Sequence, residues 1–202
     1  MKKENIIFIF FILVFVFIIF YSIYSKIFEY ILDSSVSMFL ITILFILYRK
    51  LDLNKVIFSL IFLALFFHDL GIFGFYNNSP FTFQYDHLTH FVGGFSISVL
   101  LVNYLKKYFS NKKINNIFLI IIAFLATLGI GSIIEIIEYA GYLVFGEGQG
   151  FLYFGGTGDI VFNSDKFTGA WINSSLDMIF NLIGSILGII IYFIVKKLKQ
   201  FL

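Results

Sequence analysis

Three short stretches hold residue types that can do chemistry. YDHLTHFVGG, residues 85–94, places Asp86 and His90 one helical turn apart, with His87 between them. GSIIEIIEYAGY carries Glu135 and Glu138 on one helix face. SSLDMIFNLIGSILG sets Asp177, Asn181, Gly184 and Gly188 along one stripe, polar at its start and small further on. Two carboxylates near hydrocarbon repel each other unless a proton or a cation lies between them. Carboxylates together with imidazole are a ligand set for Mg, Mn or Zn, and they are also general acid–base groups. His90, Glu135, Glu138 and Asp177 are therefore the candidate catalytic residues and the candidate metal ligands. Asp86 and Asn181 are candidate substrate-binding groups.

Each stretch also has a plainer reading. Asp86 suits a helix N-cap, and Ser174 or Ser175 suits the cap of a helix beginning near 177. His87 points elsewhere on its helix and reads as a headgroup-level residue, and Glu138 reads as solvated at the water boundary. Gly184 and Gly188 make a packing seam, and Gly93 and Gly94 allow a close neighbour. Glu135 is harder to dismiss, because Ile133, Ile134, Ile136 and Ile137 surround it. Acids inside an apolar segment are functional candidates by default.

The elements that must hold these residues are membrane helices. Hydrophobic residues make up 60% of the 202, thirty of them Phe, and only 13% are charged. No soluble domain of this size hides that much apolar surface, so the solvent is a bilayer. With no cysteine, disulfides, thiol chemistry and cysteine zinc sites are excluded. A net charge of +2 gives no reason to expect nucleic acid. Apolar runs at 6–25, 31–48, 56–75, 88–105, 114–144 and 177–195 predict an all-α bundle of six helices in a single membrane domain. The first run is read as a retained helix rather than a cleaved signal. A Gly- and aromatic-rich connection fills 145–176.

Of 14 basic residues, 12 fall in alternate connections or at the termini; Lys26 and Lys166 are the exceptions. The positive-inside rule then places both termini in the cytoplasm of a multi-pass cell-membrane protein. Acids and histidines gather toward the opposite side. Glu29, Asp33, Glu147 and Asp165 are covered by ordinary solvated loops. The others call for another cause. At about 1.5 Å of rise per residue, His90 lies about 24 Å from the level of Lys106, and Asp177 about 28 Å from that of Lys196. Several helices thus bring polar groups to one level, the outer third of the membrane. His68 is about 20 Å from Lys55 on the same scale and is added to that level only weakly. Helices one and two read as almost wholly apolar.

Asp86–His90, Gly131–Glu135–Glu138 and Asp177–Asn181–Gly184 in this order resemble the VanZ-like superfamily, most closely its YjdF-type inner-membrane proteins. GGTGD at 155–159 resembles the segment that precedes the last helix in those proteins, and the resemblance adds Asp159 to the substrate-binding set. Here Asp159 is followed by Ile160, where the YjdF-type pattern has tryptophan. The resemblance covers residues 60–190. It implies a cell-envelope setting without an established reaction. The expected function is to bind or process a lipid headgroup or a lipid-linked envelope precursor, with a divalent metal as candidate cofactor. The alternatives are a proton- or cation-coupled transporter and a non-catalytic envelope accessory protein.

Overall fold

In a computed structural model, described here over residues 3–112, 114–145 and 166–198, every element is helical. The order is α1 Lys3–Ser25, α2 Glu29–Ile46, α3 Lys55–Asp69, a 3-10 turn Leu70–Phe73, α4 Tyr85–Tyr108, α5 Asn116–Phe145 and α6 Lys166–Leu198. Six of these segments are long and apolar enough to cross a membrane. Local signals fix several ends. The Asn54 side chain caps α3 by accepting from the backbone N–H of Ile57 at 3.0 Å. The 3-10 turn ends at Gly74, whose φ of +84° is the left-handed conformation that glycine adopts without cost.

Two expected boundaries are corrected. The last helix begins at Lys166, so Ser174 and Ser175 lie inside it and cap nothing. That start also shortens the expected 145–176 connection from its far end. In α4 the cap position is Gln84, and Asp86 sits in the first turn instead. A carboxylate there still suits the positive end of the helix dipole.

The bundle has two halves. α1, α2 and α3 share an aromatic core in which Phe11, Phe15, Phe58 and Phe62 are buried and Phe8 stacks on Phe45 at 4.1 Å. In the other half α4 and α6 have the most extensive helix contact in the molecule, with α5 packed against both. Glycine makes that contact possible. A Cβ on Gly94 would lie 2.5 Å from the carbonyl oxygen of Asn181, and one on Gly184 would collide with the carbonyl of Phe91. Gly188 sits against Phe95 and Ser98 in the same way, while Gly93 faces open space and takes no part. Large apolar side chains such as Phe17, Phe20, Leu125 and Ile194 stay exposed on the outside, as a lipid-facing surface requires.

The basic connections meet at one end. Lys107 Nζ lies 2.9 Å from Asp52, joining the end of α4 to the α2–α3 turn, and Lys106 stands over the ring of Phe193 at 4.5 Å. The buried acids and histidines occupy the opposite half.

Candidate functional site

α4, α5 and α6 converge on His90, which sits one turn inside the start of α4. Its Nδ1 is 3.1 Å from Asn181 Nδ2, so that nitrogen accepts from the amide. Nε2 then carries the proton, and it faces two carboxylates: Asp86 Oδ1 at 3.6 Å and Glu135 Oε1 at 3.5 Å. Asn181 also lies against Gly131, where any Cβ would press on its side chain. The glycine on α5 thus lets Asn181 reach across and fix the ring of His90.

Glu135 is 7% exposed, and neither of its oxygens has a hydrogen bond of normal geometry. Ser174 of α6 is near enough to act on this carboxyl without making such a bond. A buried carboxyl without donors is unusual, because desolvation without compensation costs several kcal/mol, about 1–3 even for a neutral polar group. Glu138, half-buried, supplies the second carboxylate of α5. Two groups of side chains can each close on one small cation: His90 with Glu135 and Glu138, and Asp86 with His90 and Asp177. In each group the ligand atoms lie within 4.8 Å of one another. His90 belongs to both.

Asp177 is fully buried, and its partner is one that sequence reasoning assigned elsewhere. His87 Nδ1 lies 2.7 Å from Asp177 Oδ1, and the imidazole stacks on Phe180 of α6 at 4.8 Å. His87 is therefore no headgroup-level residue: it is 5% exposed and ties α4 to α6. The signal that could have found it is positional. His87, His90 and Gly94 advance by three and four residues, which is one helix face. Asp86 contacts Asn173 Nδ2 at 3.5 Å and accepts from the Thr89 hydroxyl at 3.3 Å. Asp159 lies outside the described residues.

His68 does not join this group. Its Nε2 pairs with Asp33 Oδ2 at 3.2 Å, and its Nδ1 meets the Tyr76 hydroxyl at 2.8 Å. Asp33 is 3% exposed, so the solvated-loop reading fails for it, and so does the reading of α2 as wholly apolar. Ser34 and Ser37 of α2 donate to the two oxygens of Asp69, at 2.6 and 3.4 Å. The period that makes Asp33, Ser34 and Ser37 one inward face was present in the sequence, masked by the apolar residues around it.

Chemically, the α4–α5–α6 site offers an imidazole and carboxylate oxygens on buried and half-buried side chains. That set suits a hard or borderline dication, and a carboxyl beside an imidazole can also hold and release a proton. No curated protein and no solved structure matches the chain. The family model for predicted membrane proteins designated DUF2238 matches residues 6–198, so the chain belongs to that family.

Proposed function

We propose that this multi-pass membrane protein binds a divalent cation between α4, α5 and α6 and uses it to hold the anionic headgroup of a lipid or lipid-linked envelope precursor. The single observation that supports the reading most is the carboxyl of Glu135, which is buried, has no hydrogen bond of normal geometry among the described residues, and lies 3.5 Å from His90 Nε2. Folding would not retain such a group for stability, because an unsatisfied buried carboxyl destabilises. A cation satisfies it, and a cation with open coordination positions then attracts phosphate oxygens. His90, Glu135 and Glu138 would be the ligands, His90 through Nε2 once its proton sits on Nδ1 and the Asn181 amide is turned so that its oxygen accepts from Nδ1–H; Asp86 and Asp177 would be a second carboxylate wall.

The gathering of basic residues at the other end supports an orientation with both termini cytoplasmic. The site then opens toward the outer leaflet. The motif resemblance to VanZ-like and YjdF-type proteins supports an envelope substrate. A transporter reading has less behind it. In the lysine-side half three buried hydroxyls are bonded to backbone carbonyls, Ser96 to Leu60, Ser98 to Phe95 and Thr127 to Ala123, while the Ser185 hydroxyl stands alone among the described residues. Among the described residues no ladder of polar groups continues the acidic site in that direction.

The test is titration of Mn²⁺ into purified protein, followed calorimetrically, together with lipid analysis of cells lacking the gene. Wild type binds Mn²⁺ saturably, and Glu135→Gln and His90→Ala do not. Equal binding by all three proteins rejects the cation site. Lipids unchanged by deletion, with Mn²⁺ binding intact, reject the headgroup part alone.

A further inference from the structure

The cation reading leaves unused a second buried constellation, between α2, α3 and the segment after them. Its parts form a chain. Asp33 accepts from His68 Nε2 at 3.2 Å. On the other side of the ring, His68 Nδ1 is 2.8 Å from the Tyr76 hydroxyl. That hydroxyl has a second acceptor within reach, the backbone carbonyl of His68 at 3.4 Å, and it also reaches the side chain of Thr89. Thr89 in turn donates to Asp86, at 2.7 Å to the carbonyl and 3.3 Å to the carboxylate. An imidazole with a carboxylate on one nitrogen and a hydroxyl on the other is built to change its protonation without moving. When Nδ1 is bare, Tyr76 donates to it; when Nδ1 is protonated, Tyr76 turns and donates to the carbonyl.

Charge balance supports the same conclusion. Asp33 and Asp69 are both buried, at 3% and 0% exposure, and one imidazole cannot neutralise two carboxylates. The groups that face His68 are Asp33 of α2, Asp69 of its own helix, Tyr76 of the following segment, and Asp86 and His90 of α4. Among these described residues there is no lysine or arginine. A proton on the His68 ring offsets part of that negative charge. An independent observation marks the pocket as incomplete. The Tyr30 hydroxyl is wholly buried there, in the field of Asp33 and Asp69, and has no hydrogen-bond partner. Burial and the nearby Asp86 carboxyl push the Tyr76 hydroxyl well above its ordinary pKa, so it stays a hydroxyl that both takes and gives a proton.

We propose that Asp33, His68 and Tyr76 form a proton-binding relay, with His68 Nδ1 as the site that stores the proton and the Tyr76 hydroxyl as the group that passes it to and from solvent. In one transfer Tyr76 gives its hydroxyl proton to His68 Nδ1 and takes one from a hydronium ion of the solvent that its part-exposed side chain meets, so a single proton moves and nothing is oxidised or reduced. Asp33 is a positioning residue: it holds the proton on Nε2 and aims Nδ1 at Tyr76. The relay requires no bound cation, so it stands or falls apart from the cation site.

The test uses full-length protein with ¹⁵N-labelled histidine in lipid nanodiscs. Only three histidines are present, so three sets of ring signals appear, assigned with His68→Gln. Wild type shows His68 protonated at Nε2, with ring-proton exchange with solvent that Tyr76→Phe slows by about a hundredfold, the scale set by loss of one acid–base group. Asp33→Asn removes the preference for Nε2. An unchanged exchange rate in Tyr76→Phe overturns the relay, even if that variant loses stability. A His68 ring protonated only at Nδ1 in wild type overturns it as well. Should Asp33→Asn fail to fold, the Tyr76→Phe comparison still decides.

Discussion

The two buried polar clusters contain the same residue types and differ in how they are satisfied. Between α2 and α3, Asp69 receives two serine hydroxyls and Asp33 receives an imidazole N–H. Between α4, α5 and α6, Glu135 receives no normal hydrogen bond, and His90 stands 3.5 Å from it. In one cluster the protein's own donors meet both carboxylates. In the other, neither oxygen of the Glu135 carboxyl has a hydrogen bond of normal geometry among the described residues. Buried polar groups are held either by a closed network or by an external partner, and the two clusters separate those cases. Carboxylates already met by donors suit proton exchange over fixed positions, and a carboxyl without such donors suits a ligand that comes and goes.

The largest effect that would sharpen this contrast is at His87. Removing its ring by His87→Ala takes the 2.7 Å partner from a fully buried Asp177 carboxyl. Breaking a buried pair in this way costs about 3–5 kcal/mol. Thermal denaturation in detergent should show the loss as a lower midpoint, and Asp177→Asn in the same background should recover part of it. A midpoint equal to wild type would mean that the pair does not hold α4 to α6.

A smaller effect distinguishes ligand from network. Mn²⁺ at about a hundredfold over its Kd should stabilise wild type by about 2.7 kcal/mol, through mass action on the folded state. The gain should vanish in His90→Ala and persist in Ser34→Ala, which touches only the α2–α3 cluster. If Ser34→Ala abolishes the gain and His90→Ala keeps it, the two clusters have been assigned the wrong way round.

Glu135→Gln goes in the opposite direction to an ordinary core substitution. Glutamine keeps the shape and removes a charge that has no donor to meet it, so stability should stay level or rise by about 1 kcal/mol. Mn²⁺ binding should be lost at the same time. Chemical denaturation and calorimetry on one preparation check both. A loss of stability comparable to His87→Ala would show that Glu135 is structurally satisfied after all.

What the sequence made legible follows from what dominates each scale. Spans of apolar residues identify helices because the bilayer imposes their length, and all six were recognisable. Boundaries were read less well where an amphipathic start hides the helix, as at Lys166–Ser175, whose polar residues imitate a loop. The meeting of His90 with Glu135 and Asn181 follows from shared depth along parallel rods, a quantity that residue counting supplies. Azimuth is a different matter. Counting does not say which way a helix is rotated, so His87 was assigned to the headgroups and His68 to the wrong cluster. Asp33 was read as solvated because it lies near a helix start, although α3 covers it and supplies its imidazole partner.

The smallest effect tests rotation alone. Gly93 and Gly94 are adjacent and chemically identical, yet only Gly94 faces α6, where a Cβ would meet the Asn181 carbonyl oxygen at 2.5 Å. Nothing lies within 4 Å of a Cβ on Gly93. Gly93→Ala should therefore leave stability within about 0.5 kcal/mol of wild type and leave Mn²⁺ binding unchanged. Gly94→Ala should push α6 away, move Asn181 off His90 and weaken Mn²⁺ binding. The pair shares depth, sequence neighbourhood and residue type, so any difference between the two substitutions reports the rotation of α4 by itself. Equal effects from both would mean that α4 turns a different face to α6, and His90 would then leave the site with it.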